Sequence, residues 1–267
     1  MDNYKNKLKK EVWRKEKYYQ IAKEGLEQSS HEGEKVLKDY AMNVNSILDL
    51  GCGEGSRLNL LSEGKYAIGL DISKTAIRLA KENYPRVNFI QADLENIPLK
   101  GDSFELIYSA YVLEHLTKPE KVLSEGLRLL TNGGCLILIA PNYGSPNRAS
   151  PPFKGSRLLK LIIGFVEDFL IFFGLKKDLE WHRVTPISNS SKYDIDWDTT
   201  IEPYVNTLKV FLKNNKIEIE YLTTCWSEEL KNAKIHQKVF RILGLLGIYP
   251  FYMWGPHLLV VGRKNEN

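Results

Sequence analysis

The chain has 267 residues, of which 43% are hydrophobic and 26% are charged. This composition excludes disorder over most of the chain and supplies enough apolar side chains for a full core. The net charge of +4 is too small to indicate a nucleic-acid binder by itself. The three cysteines match no metal-ligand or disulfide spacing, and the first residues lack the continuous apolar region of a secretory signal. We therefore expect a cytoplasmic protein without a bound metal.

Two apolar stretches raise the question of a membrane span. Leu158–Leu175 has about the required length, but Glu167 and Asp168 lie near its middle. Each charge there costs roughly 2.5–3.5 kcal/mol on insertion. Val239–Trp254 is shorter and contains Arg241. We predict that neither stretch crosses a bilayer.

Short apolar runs alternate with helices of about ten residues along most of the chain, after two N-terminal helices at about Tyr4–Gln28 and Glu32–Ala41. The predicted strands are Ser46–Leu50, Tyr66–Leu70, Val87–Ile90, Phe104–Tyr108, Cys135–Ala140, Lys216–Thr224 and His257–Gly262. Alternation of this kind is typical of parallel strands joined by right-handed crossovers. We predict an α/β fold with a doubly wound, mostly parallel seven-stranded sheet and two apolar helical insertions.

Two helix starts carry capping signals. Ser73 is predicted to be the N-cap of the helix that follows the second strand. Thr117 opens the pattern Thr-Lys-Pro-Glu, which is a capping box with an early proline. The run Asn132–Gly134 is predicted to end that helix, just before the strand Cys135–Ala140.

Candidate ligand-binding residues lie where the first strands end. Asp49, Asp71 and Asp93 fall at three successive strand ends, and the glycine turn Gly51–Gly55 follows the first strand directly. Ligands of open parallel sheets bind beyond the carboxyl ends of the strands, where the strand order reverses. Glycine there permits positive φ and a close approach of the backbone to the ligand. Since Asp71 is placed to accept both hydroxyls of a ribose, these residues together predict a nucleoside-cofactor site.

Two cofactors compete for such a site. A dinucleotide site usually has the pattern G-x-G-x-x-G, with the pyrophosphate at the helix N-terminus. Here Ser56 occupies the sixth position, and Glu54 is unfavourable beside a pyrophosphate. S-adenosylmethionine has an ammonium, a sulfonium and no phosphate, which suits Glu54 and Asp49. An NAD(P)-dependent oxidoreductase or epimerase remains the alternative, and a non-catalytic binding protein is a second one.

The sequence resembles the class I S-adenosylmethionine-dependent methyltransferases in an ordered set of motifs. Their first, second and third motifs are similar to Ile47–Gly55, Gly69–Ser73 and Gln91–Leu94. Phe104–Leu116 resembles the fourth-strand motif of the subgroup that contains the quinone-biosynthesis methyltransferases, and Leu129–Gly134 also fits. The resemblance implies the Rossmann-like methyltransferase fold and S-adenosylmethionine as cofactor.

The resemblance also implies roles for individual residues. It assigns Asp49, Gly51 and Gly53 to the methionine side, Asp71 and Ile72 to the ribose, Asp93 and Leu94 to the adenine, and Ser109 and Ala110 to the neighbourhood of the sulfonium. Tyr18 and Tyr19 either close over the cofactor or simply pack. The implied segments are N-terminal helices over 1–41, a cofactor-binding α/β core over 42–142, an insertion or lid over 143–201, and the rest of the core over 202–267, with a second helical insertion at about 226–255.

The acceptor is less sharply predicted. His115, just past the fourth strand, and His182, in the first insertion, are candidate general bases for a hydroxyl acceptor, although either could serve packing alone. Both insertions are rich in Leu, Ile and Phe, so they either pack internally, receive a hydrophobic acceptor or rest on a membrane surface. Nucleic acid is disfavoured because Ser109–Val112 lacks the Asn/Asp-Pro-Pro-aromatic motif of base methylation. The sequence thus predicts methyl transfer, at oxygen, to a small or lipid-like acceptor, with no obligate protein partner.

Overall fold

The computed structural model describes residues 11–27, 32–176, 180–187, 194–226 and 235–265. The helices in these ranges are α1 Glu16–Glu27, α2 Glu32–Met42, α3 Ser56–Leu61, α4 Lys74–Asn83, α5 Pro119–Leu129, α6 Arg157–Phe172, α7 Val205–Asn214 and α8 Ile235–Leu245. The strands are β1 Ser46–Leu50, β2 Tyr66–Asp71, β3 Asn88–Gln91, β4 Phe104–Ala110, β5 Leu130–Pro141, β6 His182–Arg183, β7 Ile201–Glu202, β8 Ile217–Thr223 and β9 His257–Lys264. Short 3₁₀ helices cover Leu113–His115 and Phe251–Met253. The part of the predicted Tyr4–Gln28 helix before residue 11 lies outside the described residues.

The central sheet has seven strands in the order β3-β2-β1-β4-β5-β9-β8. Neighbouring strands are parallel except for β9, which is antiparallel to both β5 and β8. The predicted seven-stranded, mostly parallel sheet is therefore confirmed. The chain builds the sheet outward from β1 in one direction through β2 and β3, and in the other through β4 and β5. The order reverses beside β1, so a crevice opens at the carboxyl ends of β1 and β4.

The middle strands of the sheet are buried on both faces. Leu106, Ile107 and Tyr108 of β4 are inaccessible to solvent, as are Leu138 and Ile139 of β5. Helices cover both sides of the sheet, which explains why β5 is continuously apolar rather than alternating. This core holds the strand ends in a fixed register and thereby positions the loops that follow them.

One predicted cap is confirmed and the other is wrong. The Ser73 hydroxyl accepts a hydrogen bond from the Ala76 amide at 3.2 Å, as an N-cap should. The N-cap of α5 is instead Lys118, which makes no side-chain capping bond. The Thr117 hydroxyl donates to Glu95 at 3.0 Å, because the loop after β3 brings that carboxylate within reach.

The predicted turn Asn132–Gly134 does not separate α5 from β5. The helix ends at Leu129 and the strand begins at the next residue. Pairing between β4 and β5 jumps from Phe104↔Leu130 to Leu106↔Cys135, so the glycine run is a bulge within the strand. A glycine pair that ends a helix and one that bulges a strand have the same sequence signal, and only the pairing with β4 distinguishes them.

The first insertion leaves the sheet after β5 and contains α6 and the strand β6, which pairs antiparallel with β7. Its helix is attached to the core through Asp168, whose carboxylate is completely buried. That carboxylate accepts hydrogen bonds from the Tyr204 hydroxyl at 2.5 Å, Asn206 Nδ2 at 2.8 Å and Trp254 Nε1 at 2.7 Å. Burial raises the pKa of Asp168 to about 6, against the effect of these donors. The charge that argued against a membrane span is thus an internal anchor, and the segment boundaries themselves stay a prediction.

A helix that crosses a bilayer must be both long and apolar. Within the described ranges, no helix meets both requirements. The predictions for Leu158–Leu175 and Val239–Trp254 agree with this finding.

Candidate functional site

A cavity of about 470 Å³ opens where the parallel strands end, at the reversal of strand order. The predicted site residues that line it are Gly51, Gly53, Asp71, Ile72, Asp93, Leu94, Ala110 and His115. These residues come from the last positions of β2 and β4 and from the segments that follow β1, β2, β3 and β4, so the sheet brings together residues that are distant in the sequence. Asp49, Ser109 and His182 do not line the cavity, and their places are described below.

The glycine turn shapes the floor of the cavity. Gly51 has φ +91°, and a Cβ there would lie 2.4 Å from a Val112 methyl carbon, so a larger residue has neither the conformation nor the room. Gly53 has φ +54°, and its nearest neighbour to an added Cβ would be Tyr19 Cδ1 at 3.9 Å. No side chain therefore covers the backbone of Gly53 on the side that faces Tyr19, and a ligand could approach it closely there.

Asp71 connects this turn to the next strand end. Its Oδ2 accepts a hydrogen bond from the Gly53 amide at 3.0 Å, and its Oδ1 accepts one from the Ser73 amide at 2.7 Å. Burial raises the pKa of Asp71, although these amides lower it. A carboxylate can accept about four hydrogen bonds, so the amides use only part of its capacity. The remainder is available to a vicinal diol in the cavity, which fits a ribose.

Asp49 and Ser109 lie beneath the cavity floor. The Tyr108 hydroxyl donates to Asp49 Oδ2 at 2.6 Å, and the Ser109 hydroxyl donates to the Leu50 carbonyl at 3.2 Å. Both residues are buried between β1 and β4. Burial raises the pKa of Asp49 to about 7, against the effects of Tyr108 and Arg57. In this structure the two side chains bond within the pair of strands β1 and β4 and do not line the cavity.

An ion pair that the sequence analysis missed lies on the cavity wall. Arg57 of α3 donates to Glu34 of α2 through Nε at 3.1 Å and Nη2 at 2.9 Å. The Arg57 guanidinium also lies over the Tyr111 ring, 5.8 Å from its centroid. Burial lowers the pKa of Arg57, but attraction to Glu34 outweighs this effect and the net shift is upward, so the guanidinium stays protonated. Both charges belong to helices flanking the glycine turn, and no spacing rule relates them.

N-terminal aromatic residues form the roof of the cavity. Trp13, Tyr18 and Tyr19 all line it. The Tyr19 hydroxyl and the Ser73 hydroxyl both donate to the Trp13 carbonyl, at 3.1 Å and 2.7 Å. The roof is therefore tied to the helix that follows Asp71. The two tyrosines are in the place where they would close over a ligand.

A cluster of titratable groups lies at the other end of the cavity. His115 Nδ1 is 3.4 Å from Asp198 Oδ2, and His115 Nε2 is 3.8 Å from Glu114 Oε1. Burial lowers the pKa of His115, but Asp198, Glu114 and Asp196 outweigh it, so the net shift is upward. For Glu114, by contrast, burial raises the pKa, and the nearby His115 lowers it. Trp13 Nε1 donates to Asp198 at 3.0 Å and thereby joins the roof to this cluster.

Among the residues that the structure describes, Glu114 Oε2 is buried without a hydrogen-bond partner, and the buried His115 Nδ1 has Asp198 Oδ2 at 3.4 Å, without hydrogen-bond geometry. An unsatisfied buried polar atom is costly and is commonly retained for a function. Glu114, His115 and Asp196 also offer ligand atoms that lie within 4.8 Å of one another, so they could hold a divalent cation. The cluster can therefore accept a proton or bind a cation.

Asp196 and Asp198 are absent from the sequence predictions because they arrive from the first insertion, far along the chain from His115. The Tyr143 hydroxyl donates to Asp196, which joins the end of β5 to the same cluster. The alternating acids at 194, 196 and 198 were a visible signal, but nothing in the sequence indicates which strand end they reach.

His182 lies in a second groove, between α6 and α7, with a volume of about 1150 Å³. Its Nδ1 is 2.6 Å from Glu202 Oε2, which also accepts a hydrogen bond from Lys160 Nζ at 2.6 Å. The other Glu202 oxygen accepts from the Ser150 amide and hydroxyl. His182 is thus part of a hydrogen-bond network around the buried Glu202 carboxylate, and the structure does not bring it together with His115.

Comparisons with known proteins identify the core. Residues 48–138 match the family described as a methyltransferase domain. The chain is 29% identical over 114 residues to the ubiquinone/menaquinone biosynthesis C-methyltransferase UbiE of Campylobacter jejuni, covering 40% of this chain and 48% of that protein. It is 33% identical over 136 residues to a Mycobacterium tuberculosis protein named as a probable S-adenosylmethionine-dependent methyltransferase, covering 46% of this chain and 50% of that one.

A solved structure extends the likeness of fold. An S-adenosylmethionine-dependent methyltransferase from Mesorhizobium loti superposes with a TM-score of 0.52 at 20% identity, covering 86% of this chain and 95% of that chain. The chain spans about half the length of the curated relatives it matches. S-adenosylmethionine is the cofactor that the family implies, and the dinucleotide alternative is not favoured. Residues 48–138 therefore match a methyltransferase domain, and this part of the chain is similar to S-adenosylmethionine-dependent methyltransferases, including a quinone-biosynthesis methyltransferase, as the motifs predicted.

Proposed function

We propose that the protein transfers a methyl group from S-adenosylmethionine to an oxygen atom of a small or lipid-like acceptor. The observation that carries this proposal is that the glycine turn and Asp71 line the same cavity as Glu114, His115 and Asp196. A cofactor site and a set of proton acceptors thus share one space. S-adenosylmethionine, when bound, supplies a methyl group that is already activated, so the protein must chiefly align the reactants and exclude water. Proximity can contribute roughly 7–11 kcal/mol to such a step.

The cofactor end of the cavity supplies complementary groups. In this proposal Asp71 accepts the ribose hydroxyls, while Asp93 and Leu94 flank the adenine. The methionine tail carries both an ammonium and a carboxylate, and the cavity wall presents one charge of each sign in Glu34 and Arg57. Hydrogen bonds between charged partners are roughly twice as strong as neutral ones, so this pair would orient the tail.

His115 takes the part of proton acceptor. His115 would take up the hydroxyl proton of the acceptor while the acceptor oxygen gained the methyl group in exchange for the methyl–sulfur bond of the bound cofactor. The neighbouring carboxylates raise the pKa of His115, which makes the neutral imidazole a stronger base and stabilises the imidazolium that forms. His182 lines the second groove, so the proposal gives it no part in the proton transfer.

Apolar side chains at the acceptor end support a lipid-like substrate. Leu116, Val122 and Ile195 line the cavity near the titratable cluster, together with the Tyr143 ring. Such a wall suits an acceptor whose reacting hydroxyl or phenol is carried on an apolar body. A strongly charged acceptor would lose its hydration there without compensation.

The first test is cofactor binding. Calorimetric titration with S-adenosylhomocysteine should give saturable binding, whereas NAD should give none. The second test incubates the protein with a lipid extract and methyl-labelled cofactor, followed by mass spectrometry of the labelled product. A methyl ether or ester supports the proposal, and a label on carbon or nitrogen would overturn the assignment to oxygen. His115→Ala should abolish labelling while keeping S-adenosylhomocysteine affinity.

A further inference from the structure

An extensive apolar surface is exposed on two helices outside the cavity. Of the 22 large hydrophobic side chains exposed in the described ranges, 17 belong to two stretches, 158–175 and 235–248. We call this surface the apolar face, and it comprises the exposed side chains of α6 with residues 173–175 and of α8 with residues 246–248. Leu175 is 74% exposed and Ile235 is 82% exposed. Soluble monomers rarely expose contiguous apolar areas of this extent without a binding function.

The two helices are neighbours because they pack on the same aromatic residues. Phe165 of α6 lies 6.5 Å from Phe251 and 6.0 Å from Trp254, measured between ring centroids. Phe240 of α8 lies 5.3 Å from each of the same two rings. Each helix therefore contacts the core through aromatic side chains, and α6 adds contacts of Phe169 and Phe172 with Tyr249. The buried Asp168 anchor fixes the orientation of α6.

On the two helices, as far as the structure describes them, the exposed charges are mostly positive. Lys238 and Arg241 lie on α8, which contains no acidic residue, and Arg157 begins α6. Of the two acids on α6, Asp168 is buried and Glu167 forms an ion pair with Lys176. An apolar helical surface bordered by cations is complementary to an anionic lipid leaflet, where apolar side chains enter the acyl boundary and cations remain among the headgroups.

We propose that the apolar face seats this protein on the surface of an anionic lipid bilayer. With 16 residues, α6 is roughly 24 Å long. Because it does not meet the requirements of a bilayer span, it would lie in the plane of the interface. A second copy of the chain is a poorer occupant, because a symmetric contact would oppose the cations of one face to those of the other. The surface is independent of the chemistry in the cavity, so this proposal stands or falls separately from methyl transfer.

The apolar face is also connected to the cavity. Lys160 of α6 donates to the Tyr143 carbonyl at 2.7 Å, and Tyr143 lines the acceptor end of the cavity. Docking through α6 would therefore hold the acceptor end of the cavity close to the interface. If the acceptor is lipid-like, this arrangement shortens its path from the bilayer.

Vesicle flotation of the full chain tests the proposal. One set of vesicles contains equal parts of phosphatidylcholine and phosphatidylglycerol, and the other contains phosphatidylcholine alone. We expect binding to the anionic set, weaker binding to the neutral set, and a decline as salt screens the cations. Ile162→Glu, and separately Ile242→Glu on the other helix, should each lower binding by roughly tenfold or more, because a carboxylate cannot enter the acyl boundary.

Leu60→Glu is the matched control, since Leu60 is a 63% exposed leucine on α3, far from both stretches in sequence, and should leave flotation unchanged. Thermal unfolding of every variant confirms that it folds, and having one variant on each helix keeps the test valid if the other fails. The proposal would be overturned if the wild type floated no better with anionic vesicles than without vesicles. It would also be overturned if the folded variants bound the vesicles as well as the wild type does. A wild-type dimer in light scattering that Ile162→Glu dissociates would likewise overturn it, because the face would then belong to a second copy.

Discussion

Replacement of Asp71 by alanine is the sharpest perturbation of the cofactor site. The carboxylate holds the Gly53 and Ser73 amides, and in our proposal it also accepts the ribose hydroxyls. A hydrogen bond to a charged group contributes roughly 1.5–3 kcal/mol, and about 1.4 kcal/mol corresponds to tenfold in affinity. Asp71→Ala should therefore weaken S-adenosylhomocysteine binding by at least about tenfold. It should also lower the free energy of unfolding by roughly 1–3 kcal/mol, because two amides lose their acceptor.

Calorimetric titration measures the affinity, and denaturant unfolding without ligand measures the stability, so the two losses are separable. Asp71→Asn keeps one carbonyl acceptor but removes the charge, and should fall between the wild type and the alanine variant. Asp39→Ala, on the exposed side of α2, is the control and should change neither quantity. A folded Asp71→Ala protein with wild-type affinity would refute the ribose assignment and the reasoning from strand ends.

Three further predictions concern other parts of the structure. Asp198→Asn removes the strongest influence that raises the pKa of His115. The acid limb of a pH–rate profile, where His115 must lose its proton, should therefore move to lower pH. An unchanged acid limb would contradict the role of His115 as the base. Gly51→Ala should destabilise the fold by more than Gly64→Ala in denaturant unfolding, since both glycines have positive φ but an added Cβ at Gly64 meets nothing within 4 Å; equal losses would contradict the clash argument. Asp168→Ala should lower the free energy of unfolding by about 3 kcal/mol or more in denaturant unfolding, because it leaves buried donors unsatisfied. A stability close to that of the wild type would show that α6 does not depend on this anchor.

Local patterns predicted the sheet well because its signals are short in range. The apolar runs, their spacing and the Ser73 cap each depend on residues a few positions apart. The prediction of Thr117 as a cap was wrong because its hydrogen-bond partner, Glu95, is not a local residue but comes from a different loop. The glycines before Cys135 have a local signal that two structures share, and the register with β4 selects the bulge.

The chain by itself determined that Asp71, Asp93 and the glycine turn would meet, because parallel strands with right-handed crossovers place their carboxyl ends at one edge of the sheet. Tertiary structure decided how deep each side chain lies: Asp49 is sealed beneath the floor, while Arg57 and Glu34 meet on the wall from two helices. It also decided which distant acids reach His115, since Asp198 comes from an insertion that no periodicity orients. Contacts between distant segments depend on how whole elements pack, and that information is spread over the entire core rather than held in any one motif.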